Sequence, residues 1–263
     1  YAVNMLQCNL TFTQLAEGDF WASNSVTLIQ YFVMITIAAT AFISNFSKKA
    51  SLKYGLLLVS FVFLICYCYI AYKRQSAEAI FAVFPLLAVG ITPILGKYVD
   101  HKGKAASMLV LGSVLLIVCH LTFAFLLPQL KGNEIGGVSL AFVTILILGA
   151  SFSLVPASLW PSVPKLVDSK IIGSAYALIF WIQNIGLWLF PLLIGKILKA
   201  SNPDIVQSLE AGTMSPAEAA TSYNYTNPLL MLAMLGLVAL LLGLYLRVVD
   251  RKKGYGLEEP NIK

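Results

Sequence analysis

Side chains suited to contacting a polar solute concentrate in one apolar stretch, residues 171–198. Tyr176, Phe180, Gln183 and Asn184 follow one another at intervals of four, three and one, so on a helix they share roughly one face. Polar groups inside an apolar stretch are costly unless they meet partners or water, so this face is a candidate lining for a solute cavity. The alternative is that the same groups only hydrogen-bond to neighbouring helices, and the sequence leaves both interpretations open.

Residues for catalysis or metal binding do not cluster in the sequence. All twelve acidic residues fall in loops or at the ends of apolar stretches, and no His/Asp/Glu cluster, nucleophile elbow or carboxylate pair occurs in or beside a stretch. Cys66 and Cys68 are two residues apart and would point to different faces of a helix, which is poor spacing for a metal site. We therefore expect that the protein is not an enzyme and that it has no cofactor and no metal site.

Seven apolar stretches must position these residues. They cover residues 27–44, 54–72, 79–95, 105–127, 138–156, 171–198 and 228–248. Each is close to the ~20 residues that a helix needs to cross a bilayer, and a helix satisfies its own backbone hydrogen bonds where lipid offers none. With 59% hydrophobic and only 11% charged residues, the chain has too few polar side chains to coat a soluble domain. The sequence predicts an all-α integral membrane protein, and no basic stripe indicates nucleic-acid binding.

Lysine and arginine predict the orientation. With Tyr1 outside, thirteen of the eighteen basic residues fall in cytoplasmic segments and five on the opposite side, which satisfies the positive-inside rule. We expect Tyr1 outside and Lys263 in the cytoplasm, in the inner or plasma membrane if the source is bacterial. In the long polar segment 200–227, Ser215 and Glu218 have the spacing of a helix start.

Residues 96–104, which read GKYVDHKGK, lie between the third and fourth stretches. Gly96 would let two helix ends approach closely, Gly103 would permit a tight reversal, and Asp100 would suit the positive N-terminal end of a helix. Lys102 and Lys104 would face anionic lipid headgroups. This segment resembles the cytoplasmic signature loop of the major facilitator superfamily. An ordinary basic turn is the alternative.

Further motifs strengthen the resemblance. LWP at residues 159–161, GSAY at 173–176 and IQNIGL at 182–187 resemble the tenth and eleventh helices of one branch of the superfamily, which contains the lysosomal dipeptide transporter and its bacterial relatives. His120 matches the ninth helix of that branch. The resemblance covers about residues 79–248, and His101 departs from it by replacing the usual arginine of the signature.

The resemblance implies the C-terminal half of a twelve-helix transporter. Residues 1–26 would be the outer end of a seventh helix and an outer loop, 27–72 an inserted transmembrane hairpin, 79–249 helices eight to twelve, and 250–263 a cytoplasmic tail. The implied function is alternating-access transport of a dipeptide or another small zwitterionic or organic solute. The implied partners are that solute, the bilayer and the N-terminal half of the same polypeptide. A seven-helix receptor is the alternative function.

Seven residues and the hairpin carry more specific expectations. Asp100 should contact the helix start near residues 169–171, and with Gly96, Lys102, Gly103 and Lys104 it would form a conformational lock. Trp160 would be either a belt tryptophan or a gate residue. His120 is expected to pack between helices rather than to carry protons. The hairpin should pack outside the bundle, because neither of its stretches has a sustained polar face.

Overall fold

The computed structural model describes residues 2–12, 15–16 and 18–262. Tyr1 and Lys263, on which the orientation was stated, lie outside the described residues. Throughout the described chain the regular structure is helical. The α-helices are α1 Ala2–Asn9, α2 Asn24–Phe46, α3 Ala50–Lys73, α4 Ala77–Phe81, α5 Val83–Lys102, α6 Ala105–Leu121, α7 Leu127–Gln129, α8 Glu134–Leu166, α9 Ile172–Ala200, α10 Pro203–Glu210, α11 Pro216–Ser222 and α12 Thr226–Lys253.

Seven helical spans in the described chain are long and apolar enough to cross a membrane, which confirms the predicted all-α membrane class. They are Asn24–Phe46, Ala50–Lys73, Ala77–Lys102, Ala105–Gln129, Glu134–Leu166, Ser169–Ala200 and Thr226–Lys253. Most are longer than the apolar stretches, because polar residues extend and cap their ends. Asn133, for example, accepts the amide of Gly136 at 2.9 Å and so begins α8. The helix start predicted at Ser215 is also present, as a capping box with Glu218.

The reading of residues 96–104 as a loop is wrong. Helix α5 continues to Lys102, and Gly103 ends it with φ 73°. Lys104 is also left-handed, with φ 65°, and α6 begins at the next residue. Hydropathy alone missed the final turns because basic side chains end the apolar pattern, although His101 and Lys102 are favourable at the negative end of a helix dipole.

Helix α8 likewise runs beyond its predicted end at Pro156, to Leu166. Three prolines lie inside it, at positions 156, 161 and 164. Each removes one backbone donor, and a membrane helix tolerates this where neighbouring groups satisfy the carbonyl that is left over. The extension matters for the site, because it carries Trp160 and Lys165.

The core of the bundle is built from α5, α6, α8 and α12, which pack in the order α5–α8–α6–α12. Small residues allow the close approaches. Ser151 donates from Oγ to the carbonyl of Gly112 at 2.7 Å, joining α8 to α6. On α12, Gly236 and Gly243 lie directly against α6. Close backbone packing of this kind is how membrane helices associate without a hydrophobic driving force between them.

Helices α2 and α3 form a hairpin that packs mainly against α5. Within the hairpin, the hydroxyls of Thr40 and Ser60 are 2.6 Å apart, and Gln30 donates to the Tyr67 hydroxyl at 2.9 Å. The outward faces of both helices expose large apolar side chains, Phe32 and Phe61 among them. The hairpin was expected outside the bundle because neither of its apolar stretches has a sustained polar face. Its place relative to a complete transporter stays a prediction.

Replacing Gly236 by alanine should destabilise the protein. A Cβ at this position would come within 2.8 Å of Ile117 Cγ1 on α6, so the two helices must separate or Ile117 must shift. Overpacking of this kind costs about 1–3 kcal/mol. The matched control is Gly55→Ala on α3, where a Cβ has open space. Thermal unfolding in detergent should show a lower midpoint for Gly236→Ala only; equal midpoints would show that α6 and α12 do not pack this closely.

Candidate functional site: the exposed face of α9 and residues 96–104

The start of α9 is fastened to α8 by an aromatic cluster. The Trp160 ring stacks on Phe180 with centroids 5.0 Å apart, and its centroid lies 5.7 Å from that of Tyr176. The Tyr176 hydroxyl donates to the backbone carbonyl of Trp160 at 2.9 Å. In an unbroken helix that carbonyl would accept the amide of residue 164, but Pro164 has none. Tyr176 therefore replaces a hydrogen bond that proline removes from α8.

Gln183 and Asn184 are placed differently, since both are exposed. Asn184 donates from Nδ2 to the Phe180 carbonyl at 2.8 Å, a bond within its own helix. Gln183 lines an open groove of about 540 Å³ along α9, whose other walls include Leu187 and Phe190. The four predicted contact residues thus divide into two that pack on Trp160 and two that face open space. Whether any of them touches a solute stays a prediction.

Exposure is the general property of α9. Leu198 is the only buried residue of this 29-residue helix. Trp181, Leu187 and Trp188 are each 64–68% exposed. A long apolar surface of this size requires either lipid or another protein surface to cover it.

Residues 96–104 are held by a segment that the sequence analysis did not connect with them, residues 254–262. This C-terminal segment folds back beneath the start of α6. The amides of Lys104 and Ala105 donate to the carbonyls of Glu258 and Leu257 at 3.1 and 3.0 Å. The Glu258 carboxylate accepts the Ser107 amide at 2.8 Å and also its hydroxyl. Glu258 therefore caps α6, supplying a negative charge where the helix dipole favours one.

Asp100 is bound by the same segment. Its backbone carbonyl accepts the amides of Asn261 and Ile262, both at 2.9 Å, and its Oδ1 accepts Asn261 Nδ2 at 2.8 Å. At residues 169–171, where a contact with Asp100 was expected, the carboxylate that binds is Asp168, which accepts the Lys170 amide at 3.0 Å. The expectation for Asp100 is therefore corrected: its carboxylate pairs with an asparagine amide of the C-terminal segment.

Two further helices join this arrangement. Lys165 near the end of α8 donates from Nζ to the carbonyls of Gly256 and Glu259 at 2.7 and 2.8 Å. Asp250 of α12, itself buried, accepts the amide of Leu257 at 3.0 Å. Leu257 is fully buried among the helix ends. One segment thus connects the ends of α5, α6, α8 and α12. Leu257, an aliphatic residue in the tail that follows the last span, was the sequence signal for this role.

The remaining residues of the predicted lock contribute unequally. Gly103 is buried and its backbone lies directly against the C-terminal segment. The side chains of Lys102 and Lys104 are exposed. Around Gly96 a Cβ would have open space, so the close approach expected there is not made within the described chain.

Gly103→Ala should displace the C-terminal segment. Alanine is strained at φ 73°, and its Cβ would lie 2.5–2.7 Å from the backbone carbonyl group of Glu259. We expect faster cleavage of residues 254–262 by a protease and a lower unfolding midpoint. Gly96→Ala is the control, because it adds the same methyl group in open space. Equal cleavage of the two variants would contradict the packing described here.

Glu258→Gln should weaken the cap on α6. The amide side chain keeps the shape but loses the charge, and a charged residue at a helix N-terminus contributes about 0.3–1 kcal/mol. Glu259→Gln removes the same charge from the next residue, whose carbonyl rather than carboxylate binds Lys165. The unfolding midpoint should fall more in the first variant than in the second. A larger fall in Glu259→Gln would show that net charge, not capping, is what matters.

Comparison with known proteins gives one group of relatives. The chain is 28% identical to the lysosomal dipeptide transporters of Bos taurus and Mus musculus and 26% identical to that of Homo sapiens, in each case over 155 residues. These matches cover 52% of this chain and 31% of each relative, so the chain spans about a third of the length of the curated relatives it matches. No protein-family model and no solved structure matches the chain. The resemblance found in the sequence is confirmed: over about half its length, the chain is homologous to lysosomal dipeptide transporters of the major facilitator superfamily.

Proposed function

We propose that the chain forms the C-terminal part of a transporter that moves a small solute across a membrane by alternating access. The observation that carries the proposal is α9, an apolar helix with one buried residue that presents Gln183 and Asn184 to open space. Homology to dipeptide transporters over about half of the chain supports it. A seven-helix receptor has no support from these relatives.

The substrate we propose is a dipeptide or another small zwitterionic solute. Carboxamide side chains both donate and accept hydrogen bonds, so Gln183 and Asn184 can pair with the peptide group of such a solute. Asn184 uses one of its donors within α9, and its carbonyl oxygen can accept a hydrogen bond from a ligand. Tyr176 and Phe180, held by Trp160, would form the wall of the path toward the C-terminal segment. In this arrangement Trp160 acts as a gate residue.

The proposed conformational lock comprises Gly96, Asp100, Lys102, Gly103 and Lys104. Its mechanical basis is the C-terminal segment, which ties the ends of four helices so that they move together. Alternating access needs each half of a transporter to move as a body around the solute. We propose that Asp100, with its Oδ1 bound by Asn261, presents its second carboxylate oxygen to the other half.

Removal of the Asn184 amide should impair transport. In proteoliposomes that hold the full-length protein, counterflow of a radiolabelled dipeptide should show a KM raised about tenfold for Asn184→Ala, the loss expected for one hydrogen bond worth ~1.4 kcal/mol. Asn45→Ala on α2 is the matched control, since Asn45 makes the same bond to a carbonyl four residues back, at 3.0 Å. Gln183→Ala should behave like Asn184→Ala. Unchanged kinetics in both α9 variants would remove α9 from the solute path.

We propose that His120 is a packing residue and not the group that couples transport to protons. Its Nδ1 lies 2.8 Å from the Leu116 carbonyl on its own helix. It borders an apolar cavity of about 90 Å³ whose walls include Leu6, Leu148 and Ile194. The cavity draws its walls from several helices of the bundle, and none of these three side chains can exchange a proton.

His120→Gln should therefore leave any response to a pH gradient intact. Glutamine retains a hydrogen-bonding group of similar size but does not titrate near neutral pH. The measurement is dipeptide flux into proteoliposomes with and without an imposed gradient. Loss of gradient-driven accumulation with downhill exchange preserved would identify His120 as the coupling group and would overturn its assignment to packing.

A further inference from the structure

A cleft of about 350 Å³ with polar and charged residues in its lining is formed between the hairpin and α4. It is found at the hairpin end opposite the turn of residues 47–49, where α3 ends and α4 begins. Thr27 and Gln30 of α2, Tyr67 and Arg74 of the α3 end, and Glu78 of α4 line it. It is distinct from the groove along α9, with which it shares no lining residue. Its volume is within the range of small-ligand sites.

A fixed positive charge forms one side of this cleft. Arg74 donates from Nη1 to the Thr27 hydroxyl at 2.8 Å, which holds the guanidinium against α2. Arginine has five N–H donors, and in the described part of the chain this is the one hydrogen bond that its side chain makes. The other donors of this partly exposed group are available to an anion. A planar guanidinium binds carboxylate or phosphate oxygens in pairs.

A fixed negative charge forms another side. Glu78 accepts Gln7 Nε2 on Oε1 at 3.1 Å and the Ser76 hydroxyl on Oε2 at 2.7 Å. These bonds come from neutral groups, so they orient the carboxylate without neutralising its charge. Among the described residues no ion pair joins Arg74 to Glu78, although both line the same cleft. The two opposite charges are therefore held apart.

The floor between the charges is polar. Tyr67 is fully buried, and its hydroxyl accepts a hydrogen bond from Gln30 Nε2 at 2.9 Å. A hydrogen bond thus joins the phenol oxygen and the Gln30 amide below the opening. Tyr31 and Met34 add apolar surface at the edge. The cleft offers an anion site, a cation site and an apolar rim in one small volume.

We propose that this cleft binds a small zwitterion, with its anionic group on Arg74 and its primary ammonium on Glu78. A ligand with one charge would leave the opposite wall without a partner, whereas a zwitterion neutralises both walls. An ammonium group has three donors for the carboxylate. Two sources share this chemistry: a free dipeptide, or the headgroup of an aminophospholipid. The second is suggested by the position of the cleft at the ends of two apolar spans, the level at which headgroups lie. The proposal does not depend on the transport function.

Nanodiscs test the lipid source. The full chain is reconstituted in mixed phosphatidylethanolamine and phosphatidylcholine, and the lipids retained after mild detergent extraction are counted by native mass spectrometry. Phosphatidylcholine carries a methylated ammonium that cannot donate to Glu78, so phosphatidylethanolamine should be retained in preference. Glu78→Gln should weaken this preference about tenfold, as loss of one charged hydrogen bond requires. Arg74→Gln should instead lower the retention of both lipids, because both carry the phosphate that the guanidinium binds. Lys73→Gln is the control, because Lys73 lies over the Tyr69 ring, 5.8 Å from its centroid, and does not line the cleft.

Calorimetry tests the free solute. Glycylglycine is titrated into the full chain in detergent, alongside N-acetylglycylglycine, which lacks the ammonium. All of these titrations use a Gln183→Ala/Asn184→Ala background, which removes the contacts proposed on α9. In that background, binding of glycylglycine should be lost in Arg74→Gln and Glu78→Gln but kept in Lys73→Gln, and the acetylated form should not bind. A response in one arm identifies the source and supports the proposal. If the cleft variants match Lys73→Gln in both arms, with helical content and unfolding midpoints unchanged, the proposal is wrong.

Discussion

Backbone groups that have no partner within their own helix decide where the polar side chains of this protein lie. In hydrocarbon no water satisfies them, so each requires a protein partner. Pro164 leaves the Trp160 carbonyl unpaired, and Tyr176 supplies the donor. The first amides of α6 have no partner within their own helix either. They donate hydrogen bonds to the backbone carbonyls of Leu257 and Glu258 and to the Glu258 carboxylate. In both candidate functional regions, other parts of the protein thus bind backbone groups left unpaired at helix ends and breaks.

This constraint also separates structural from available polar groups. The hydroxyl of Tyr176 and the carboxylate of Glu258 each bind a backbone group that would otherwise be unpaired. In the described chain, Gln183 binds no backbone group left unpaired at a helix end or break. Asn184 donates one hydrogen bond to a carbonyl of its own helix. On α9, neighbouring polar side chains therefore have two different roles. The part that packs against Trp160 supports the bundle, and Gln183, which follows it, lines the open groove.

The fold was largely predictable and the site was predictable only in part. Seven spans followed from hydropathy, because a bilayer imposes length and composition on every helix. Their ends did not, since His101 and Lys102 are polar yet helical. The partner of Asp100 was missed because it comes from a tail distant in sequence, and hydrogen bonds between distant segments leave no local pattern. Periodicity predicted that four residues share one face of α9. It did not predict that Tyr176 would bind the Trp160 carbonyl left unpaired by Pro164, because that contact forms between two helices.

The position of the C-terminal segment has a consequence for biosynthesis. Ser107 and Glu258 are separated by 151 residues, and the acceptors of the Lys104, Ala105 and Ser107 amides all lie in the C-terminal segment. At synthesis rates of roughly 5–20 residues per second, the amides at the start of α6 wait about 8–30 s before their partners are made. Helices α5, α6 and α8 therefore enter the membrane before their ends are joined. Closure of the bundle at this end is a post-insertion event, and the nascent protein passes through a stage at which this surface is open to chaperones and proteases.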